Sequence, residues 1–182
     1  NYTYIKIANM DLFSPNGSFY LDKFFEKSVS FDNLNFKFHA KDNFDELMIE
    51  SLTAKLLKQT DFSMTMETKK EDNHTDYHLV FRANNIFINN LNTLWPSSLN
   101  QNSIRDWVIE HVKNGIVSDG YADMNIKIYE EANKNNEYSE LERINSRIEF
   151  SGADLTYDDY FPPITNIAAT AEFRKTDMDI RF

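Results

Sequence analysis

The sequence predicts a mainly β (α+β) protein: an extended, curved antiparallel β-sheet or meander with one amphipathic helix packed on its apolar face. Period-two alternation recurs along most of the chain, and polar segments separate the alternating runs. One stretch, at about residues 97–115, follows a helical period instead. We therefore expect residues 1–182 to form a single domain, or a fragment of a longer repetitive β-sheet protein, with a helical insertion at about 97–115.

Four runs alternate apolar and polar residues, at 34–40, 122–128, 144–150 and 167–173. Successive side chains of a strand point to opposite faces, so each run predicts one apolar face and one face in water. The residues that we expect to form the apolar face, as lipid contacts or as core, are Phe36, Phe38, Met124, Ile126, Ile128, Ile148, Phe150 and Phe173.

The segments between these runs differ in how clearly they can be interpreted. Residues 69–76 and 130–137 have the polar composition of long hairpin tips. Residues 44–58 are ambiguous, because their apolar positions fit a helical period as well as alternation. We favour a strand for the second half of this segment.

The helical stretch carries signals for both of its ends. Ser103 is a suitable N-cap, with Asp106 three residues later as in a capping box, and Gly115 stands where a left-handed residue ends a helix. The apolar positions with helical spacing are Ile104, Trp107, Val108 and Val112. Together these signals predict a helix of about three turns, roughly 17 Å long.

Both tryptophans of the chain lie at this insertion. We expect Pro96 to end the preceding strand after Trp95, because proline has no N–H for the sheet. Trp107 is expected to anchor the helix on the apolar side of the sheet. For both tryptophans we favour this role of core anchor over a contact with a ligand.

Composition excludes several classes of function. A formal net charge of −10 argues against a nucleic-acid partner, which needs a positive face. The absence of cysteine excludes disulfides, cysteine-ligated zinc, iron–sulfur clusters and thiol nucleophiles. No apolar run is long enough to span a bilayer, and the first residues contain neither a Met start nor a signal peptide, so we expect a start inside a longer gene product.

No residue pattern in the chain predicts catalysis, a metal or a cofactor. Asp158–Asp159 and Glu130–Glu131 are neighbouring carboxylates that an extended chain sends to opposite faces, so we interpret them as solvated loop charge. His74 and His78 have the spacing of a helical metal site, but they lie in a strand pattern. A hydrolase on a β scaffold stays open as a less favoured alternative, and it would need two carboxylates converging in a concave pocket.

Two blocks of sequence carry a family resemblance. They are L-W-P at 94–96 with R-D-W-V-I-E-H-V-K-N-G-I-V-S-D-G at 105–120, and L-T-Y-D-D-Y-F-P-P-I-T-N-I at 155–167. Their order and spacing resemble the central domain of the AsmA-like, YhdP-type family of bacterial envelope proteins, which has TamB-like lipid-transport relatives. The residues that match the family pattern are Trp95, Pro96, Trp107, Gly115, Tyr157, Pro162 and Pro163. The chain departs from it at Ala168–Ala169, where the family often has glycine.

The resemblance implies a periplasmic protein, anchored in the inner membrane, whose β-hairpins build a U-shaped sheet with an apolar trough. It further implies a role in phospholipid transport to the outer membrane, or in envelope biogenesis, without enzymatic activity. The expected partners are then phospholipid or another acyl lipid, with other envelope proteins possible and with membrane contact through parts of the parent chain outside this sequence. A catalytic, metal or cofactor site is not expected.

Two alternatives remain open at the level of sequence. The apolar face could be an open trough for lipid or a closed core covered by the helix. An open trough has a clear physical use, because exposing roughly 30 lipid methylenes to water costs on the order of 20 kcal/mol. The other alternative is a structural adaptor that recruits envelope proteins by strand addition at a sheet edge.

Overall fold

In the computed structural model, the described residues (4, 6–20, 27–95, 104–130, 137–157 and 160–182) form one open antiparallel sheet. Its strands are β1 (Ile7–Phe19), β2 (Val29–Lys41), β3 (Glu46–Leu56), β4 (Thr60–Lys70), β5 (His74–Asn84), β6 (Ile86–Phe87), β7 (Val112–Glu130), β8 (Glu137–Leu155), β9 (Ile164–Arg174) and β10 (Met178–Arg181). The helical elements are two 3-10 turns, Asp42–Phe44 and Ile88–Asn90, and the α-helices α1 (Leu91–Leu94) and α2 (Ile104–His111).

The strands lie side by side in chain order, except that the short β6 pairs with β7 beyond the end of β5. Every described pairing is antiparallel, as hairpin connections require. The sheet is curved and does not close on itself. The predicted fold, mainly β with an extended antiparallel meander, is confirmed.

Register assigns the side chains of the sheet to two faces, because directly paired residues of neighbouring strands project to the same side. One continuous row across seven strands consists of Met10, Phe38, Ile49, Met66, Leu79, Met124 and Ile144. The neighbouring row on the opposite side consists of Asn9, His39, Met48, Glu67, His78, Asn125 and Arg143. We call the side of the first row the apolar face and the side of the second row the outer face.

Bulges keep the apolar face continuous where simple alternation would fail. The register of β2 shifts between Asp32 and Asn35, where Asn33 has a φ of 53°. As a result Phe31 and Leu34 share the apolar face although they are three residues apart. A bulge also bends its strand and increases the local twist, which helps to explain the curvature of the sheet.

Most predicted turns and strands agree with the structure where it is described, but the residues directly before Pro96 form α1 and not the expected strand. β4 ends at Lys70 and β5 begins at His74, with the Glu71 N–H donating to the His74 carbonyl at 2.8 Å, as expected for a hairpin tip at 69–76. The ambiguous segment 44–58 is strand from Glu46 to Leu56, including the second half for which we favoured a strand. Residues 131–136 of the other predicted tip lie outside the described residues.

The predicted helix is wrong at its C-terminal end. α2 ends at His111, and the next residues belong to β7, where Val112 pairs with Leu155 and Asn114 with Ala153. Gly115 has the expected left-handed backbone, with a φ of 72°, but it lies inside β7 and not at a helix end. Pairing with β8 satisfies the backbone of this segment in place of a further helical turn. Pro96, Ser103 and the rest of 96–103 lie outside the described residues.

Gly115 is predicted to tolerate no side chain. A Cβ atom there would lie 2.7 Å from both the Ala153 nitrogen and the Ser151 carbonyl oxygen, whereas one at Gly152, with a φ of 68°, would meet only Gly115 Cα at 3.7 Å. We expect Gly115→Ala to lower the free energy of unfolding by about 3 kcal/mol and Gly152→Ala, which adds backbone strain alone, by about 1 kcal/mol. Urea denaturation of both variants measures the difference, and equal losses would contradict the close approach of β7 and β8.

Candidate functional site

The apolar face is the candidate functional site. The register places all eight residues predicted for it on this side: Phe36 pairs with Leu52, Ile126 with Tyr77, and Ile128 with Thr75. The same holds at the far side of the sheet, where Ile148 pairs with Ala171 and Phe150 with Ala169. Phe38, Met124 and Phe173 belong to the same face.

Among the described residues, no second layer of structure covers most of this face. Twelve apolar residues are buried among the described residues; half of them are alanines, and none is Phe, Tyr or Trp. The large apolar side chains along the middle of the face, such as Phe36, Met66 and Phe81, are half-buried. A closed core of a two-layer fold would bury rings and long aliphatic chains completely. The described residues therefore leave much of the face uncovered, and we call this uncovered apolar surface the trough.

One end of the apolar face is covered by the segment 86–95, which we call the strap. Ile88 and Leu91 of the strap pack with Val117 and Ala153 of β7 and β8. Leu94, at the other end of the strap, packs against the cluster of Val29, Ala54 and Leu56 on β2 and β3. The strap therefore crosses the apolar face from β7 and β8 to β2 and β3. It was missed in the sequence, because the segment is too short for its apolar residues to form a long periodic pattern.

Arg105 of α2 fastens the strap. The residue is 7% exposed, and its guanidinium donates to the Asn92 carbonyl at 3.1 Å and to the Trp95 carbonyl at 3.1 Å. Both carbonyls lie at the C-terminal end of α1, which is too short to satisfy its own last carbonyl groups. Asp106 accepts a third bond from the same guanidinium at 3.2 Å. A buried arginine with several such bonds was not predicted from the sequence.

The expectation that Trp107 anchors the helix on the apolar face is wrong. Trp107 is 42% exposed, and its ring stacks on His111, with centroids 5.0 Å apart. Because the helical turn points Arg105 inward, the indole two residues later lies on a different side of α2. Trp95 is half-buried and contributes its carbonyl to Arg105. The strap covers the apolar face in the place where we expected the helix.

The other residues of the family pattern lie at the same covered end. Tyr157 is exposed and stacks on Phe161, with centroids 5.8 Å apart. Pro162 and Pro163 are exposed and immediately precede β9. The segment is joined to α2 by the Thr156 N–H, which donates to the carbonyl of His111 at 2.9 Å. These residues shape the end of the sheet and do not line the trough.

The two faces of the sheet differ sharply in charge. Among the described side chains of β1–β5 and β7–β9, the apolar face holds no carboxylate, and its ionisable groups are Tyr77 and, at the rim opposite the strap, Lys70. The outer face carries ion pairs between strands, for example Asp11 with Lys37 at 3.3 Å and Asp123 with Arg143 at 2.7 Å. An occupant of the trough would thus meet an almost uncharged surface.

The histidines considered as metal ligands in the sequence are not brought together in the structure, and most of the paired carboxylates lie outside the described residues. His74 lies near Asp76 and His78 near Asp123, each on the outer face and each with its own carboxylate. Within the described ranges, no group of three or more His, Asp or Glu side chains could hold a metal ion. Asp158, Asp159 and Glu131 lie outside the described residues, and so does the side chain of Glu130.

Asp154 holds three strands together at the covered end. Its carboxylate accepts a bond from the Asn114 amide of β7 at 2.7 Å and one from the Asn166 N–H of β9 at 3.1 Å. Both asparagines have left-handed backbones, with φ of 58° and 57°. The Asn114 amide, followed by the Asn166 N–H, lowers the pKa of Asp154 below its ordinary value of 3.8.

In comparisons with known proteins, no family model, curated protein or solved structure matches this chain. The resemblance to the AsmA-like family therefore stays a prediction. In the part of the chain that the structure describes, there is also no helix long and apolar enough to cross a bilayer.

Arg105 is predicted to contribute more to stability than an exposed arginine does. Arg105→Met keeps the stem and leaves two carbonyls without their donor, which should lower the free energy of unfolding by about 2 to 4 kcal/mol. Hydrogen exchange in the strap should accelerate more than in β3 and β4. The matched control is Arg147→Met, which removes an exposed pair with Glu149 and should cost at most about 1 kcal/mol. Equal effects of the two substitutions would contradict the role of Arg105.

Asp154 is predicted to make stability depend on pH in the acid range. Its pKa is lower in the folded than in the unfolded chain, so its contribution is complete above the ordinary value of 3.8 and is lost as the pH falls through the folded pKa. Between about pH 5 and about pH 2, the free energy of unfolding should fall less steeply for Asp154→Asn than for the unaltered chain. Asn114→Gly, which allows the left-handed backbone and removes the main donor, should reduce the slope in part. Parallel curves for all three chains would count against this bond pattern.

Proposed function

We propose that this chain shields the acyl chains of phospholipid on its apolar face, without catalysis. The observation that supports this best is a nearly charge-free face that runs across the sheet and that the described residues cover only at its strap end. The hydrophobic effect acts on any apolar surface that both partners remove from water, so it needs no reactive group and no directional bond. An acyl chain is a ligand with such an apolar surface and no reactive group.

The magnitudes are consistent with transport as well as binding. Each methylene removed from water stabilises the bound state by about 0.8 kcal/mol when it is fully buried. An open trough covers only part of the surface of a chain, so the gain per methylene is smaller and the lipid can leave. Shielding of this kind lowers the barrier for moving a lipid through water while keeping its binding reversible.

The cellular setting of the proposal depends on the family resemblance. By analogy with AsmA-like proteins, the chain would be a segment of a periplasmic protein anchored in the inner membrane, and its trough would form part of a path for phospholipid toward the outer membrane. The outer face, with its paired charges, suits an aqueous compartment between two membranes. The cost of removing these charged side chains from water also opposes stacking of one outer face on another.

A structural adaptor is the second candidate, and the open sheet favours it. β1, with 13 residues, and β10 are the outermost strands, so each leaves one edge unpaired among the described residues. A partner strand could add to such an edge through main-chain hydrogen bonds. That function would use the edges and would leave the apolar face without a lipid.

Site-specific photo-crosslinking separates the two candidates. A photoreactive residue at Ile126, on the half-buried middle of the trough, should form adducts with lipid when the chain is mixed with vesicles of phosphatidylethanolamine and phosphatidylglycerol. The matched control is Lys127, the next residue, which projects from the outer face. A second comparison is Phe150, which packs with the Ile88 cluster and should react mainly with protein. Lipid adducts at Lys127 as abundant as at Ile126, or none at either, would overturn the proposal.

A further inference from the structure

We infer that the strap is a stop at one end of the trough, so that the trough measures the length of a single acyl chain that enters from the opposite rim. This inference deepens the proposed function and rests on it. It concerns which lipid chains the trough accepts, and it arises from the placement of the strap relative to the rows of side chains on the apolar face.

The closed end is defined by contacts of the strap with two separate parts of the sheet. Leu94 packs against the cluster of Val29, Ala54 and Leu56 on β2 and β3, and Ile88 forms a buried cluster with Val117 and Ala153 on β7 and β8. The apolar residues between these two parts are therefore covered by the strap and not available to a ligand. Arg105 holds the strap through the Asn92 and Trp95 carbonyls, so the strap is held in place by the protein's own bonds.

The free part of the trough begins at the first row beyond the strap cluster. Four successive rows lie between the strap and the opposite rim, and on β4 and β5 their members are Met64 with Phe81, Met66 with Leu79, Thr68 with Tyr77, and Lys70 with Thr75. Rows on one face of a strand are about 6.7 Å apart, so the distance from the first row to the last is roughly 20 Å.

That distance corresponds to the length of a common acyl chain. A carbon–carbon bond of about 1.52 Å at an angle of about 111° advances an extended chain by roughly 1.25 Å per carbon. A trough of roughly 20 Å therefore holds about 16 carbons. A longer chain would either stay outside at the rim or have to displace the strap.

The side chains of these rows suit a flexible chain without a charged or rigid group. Met66 and Met124 flank Leu79 in one row, and Met64 lies in the next row. Methionine side chains are unbranched and adapt to irregular partners, which a chain with many rotatable bonds presents. The first ionisable side chain of β4 on this face is Lys70, at the rim, where the headgroup of a lipid would lie.

A chain-length series tests the stop. The full chain is titrated with lysophosphatidylcholines carrying saturated chains of increasing length, each below its critical micelle concentration, in competition with a fluorescent acyl probe. Affinity should rise between two- and fourfold per methylene up to about 16 carbons and then level off, because further methylenes stay in water. Binding that is undetectable at every length would refute the proposed function itself.

Filling the closed end should shorten the acyl chain at which affinity levels off. Met64→Trp blocks one row, about 7 Å of trough, so affinity should level off at a chain about five carbons shorter. The matched control is Thr65→Trp, which places the same ring on the exposed outer face of the same strand and should leave that chain length unchanged. Circular dichroism establishes that both variants keep the sheet.

The outcomes distinguish this inference from the function on which it rests. Affinity that continues to rise well beyond 16 carbons, or that levels off at the same chain length in Met64→Trp, would overturn the stop while leaving lipid shielding intact. A chain that dimerises through the trough and binds no lysolipid would overturn both.

Discussion

Each antiparallel strand pair in this protein keeps directly opposed side chains on the same side of the sheet, and the rest of the structure depends on that constraint. Repeated from β1 to β9, it turns short alternating runs into continuous rows, such as the row from Met10 to Ile144. A slip of one residue at any pair would turn a whole strand over and place charge in the trough. The bulges near Asn33 and in β3 preserve the rows where the alternation changes phase.

Because the described part of the chain adds no complete second layer to the sheet, the stability of the sheet is distributed unevenly. In the middle of the trough, side chains are shielded mainly by their neighbours in the same sheet, which leaves them half-buried. At the covered end, the strap, Arg105 and Asp154 add contacts that join strands far apart in the sequence. Local opening should therefore be easiest at the rim opposite the strap, which is also the side from which we propose that a lipid enters.

The contrast between an open middle and a rigid covered end suits the proposed shielding of acyl chains. Shielding of acyl chains needs area, flexibility and an absence of charge, and these properties lie on the open part of the apolar face. Rigidity is needed only where the trough ends, and the buried Arg105 provides it with directional bonds to the strap. The acidic excess of the chain is kept away from the trough among the described residues.

Local pattern determined the fold class and the composition of the two faces, because strand alternation depends only on neighbouring residues. It therefore located Phe36, Met124 and Phe150 on one side without knowledge of their partners. The tertiary structure decided the features that depend on distant residues. Pairing with Leu155 ended α2 before Val112, and packing against the cluster on β2 and β3 made Leu94 and its strap the cover in place of Trp107. Contacts of this range leave no periodic signal in the sequence, so only the folded chain could reveal where the trough is closed.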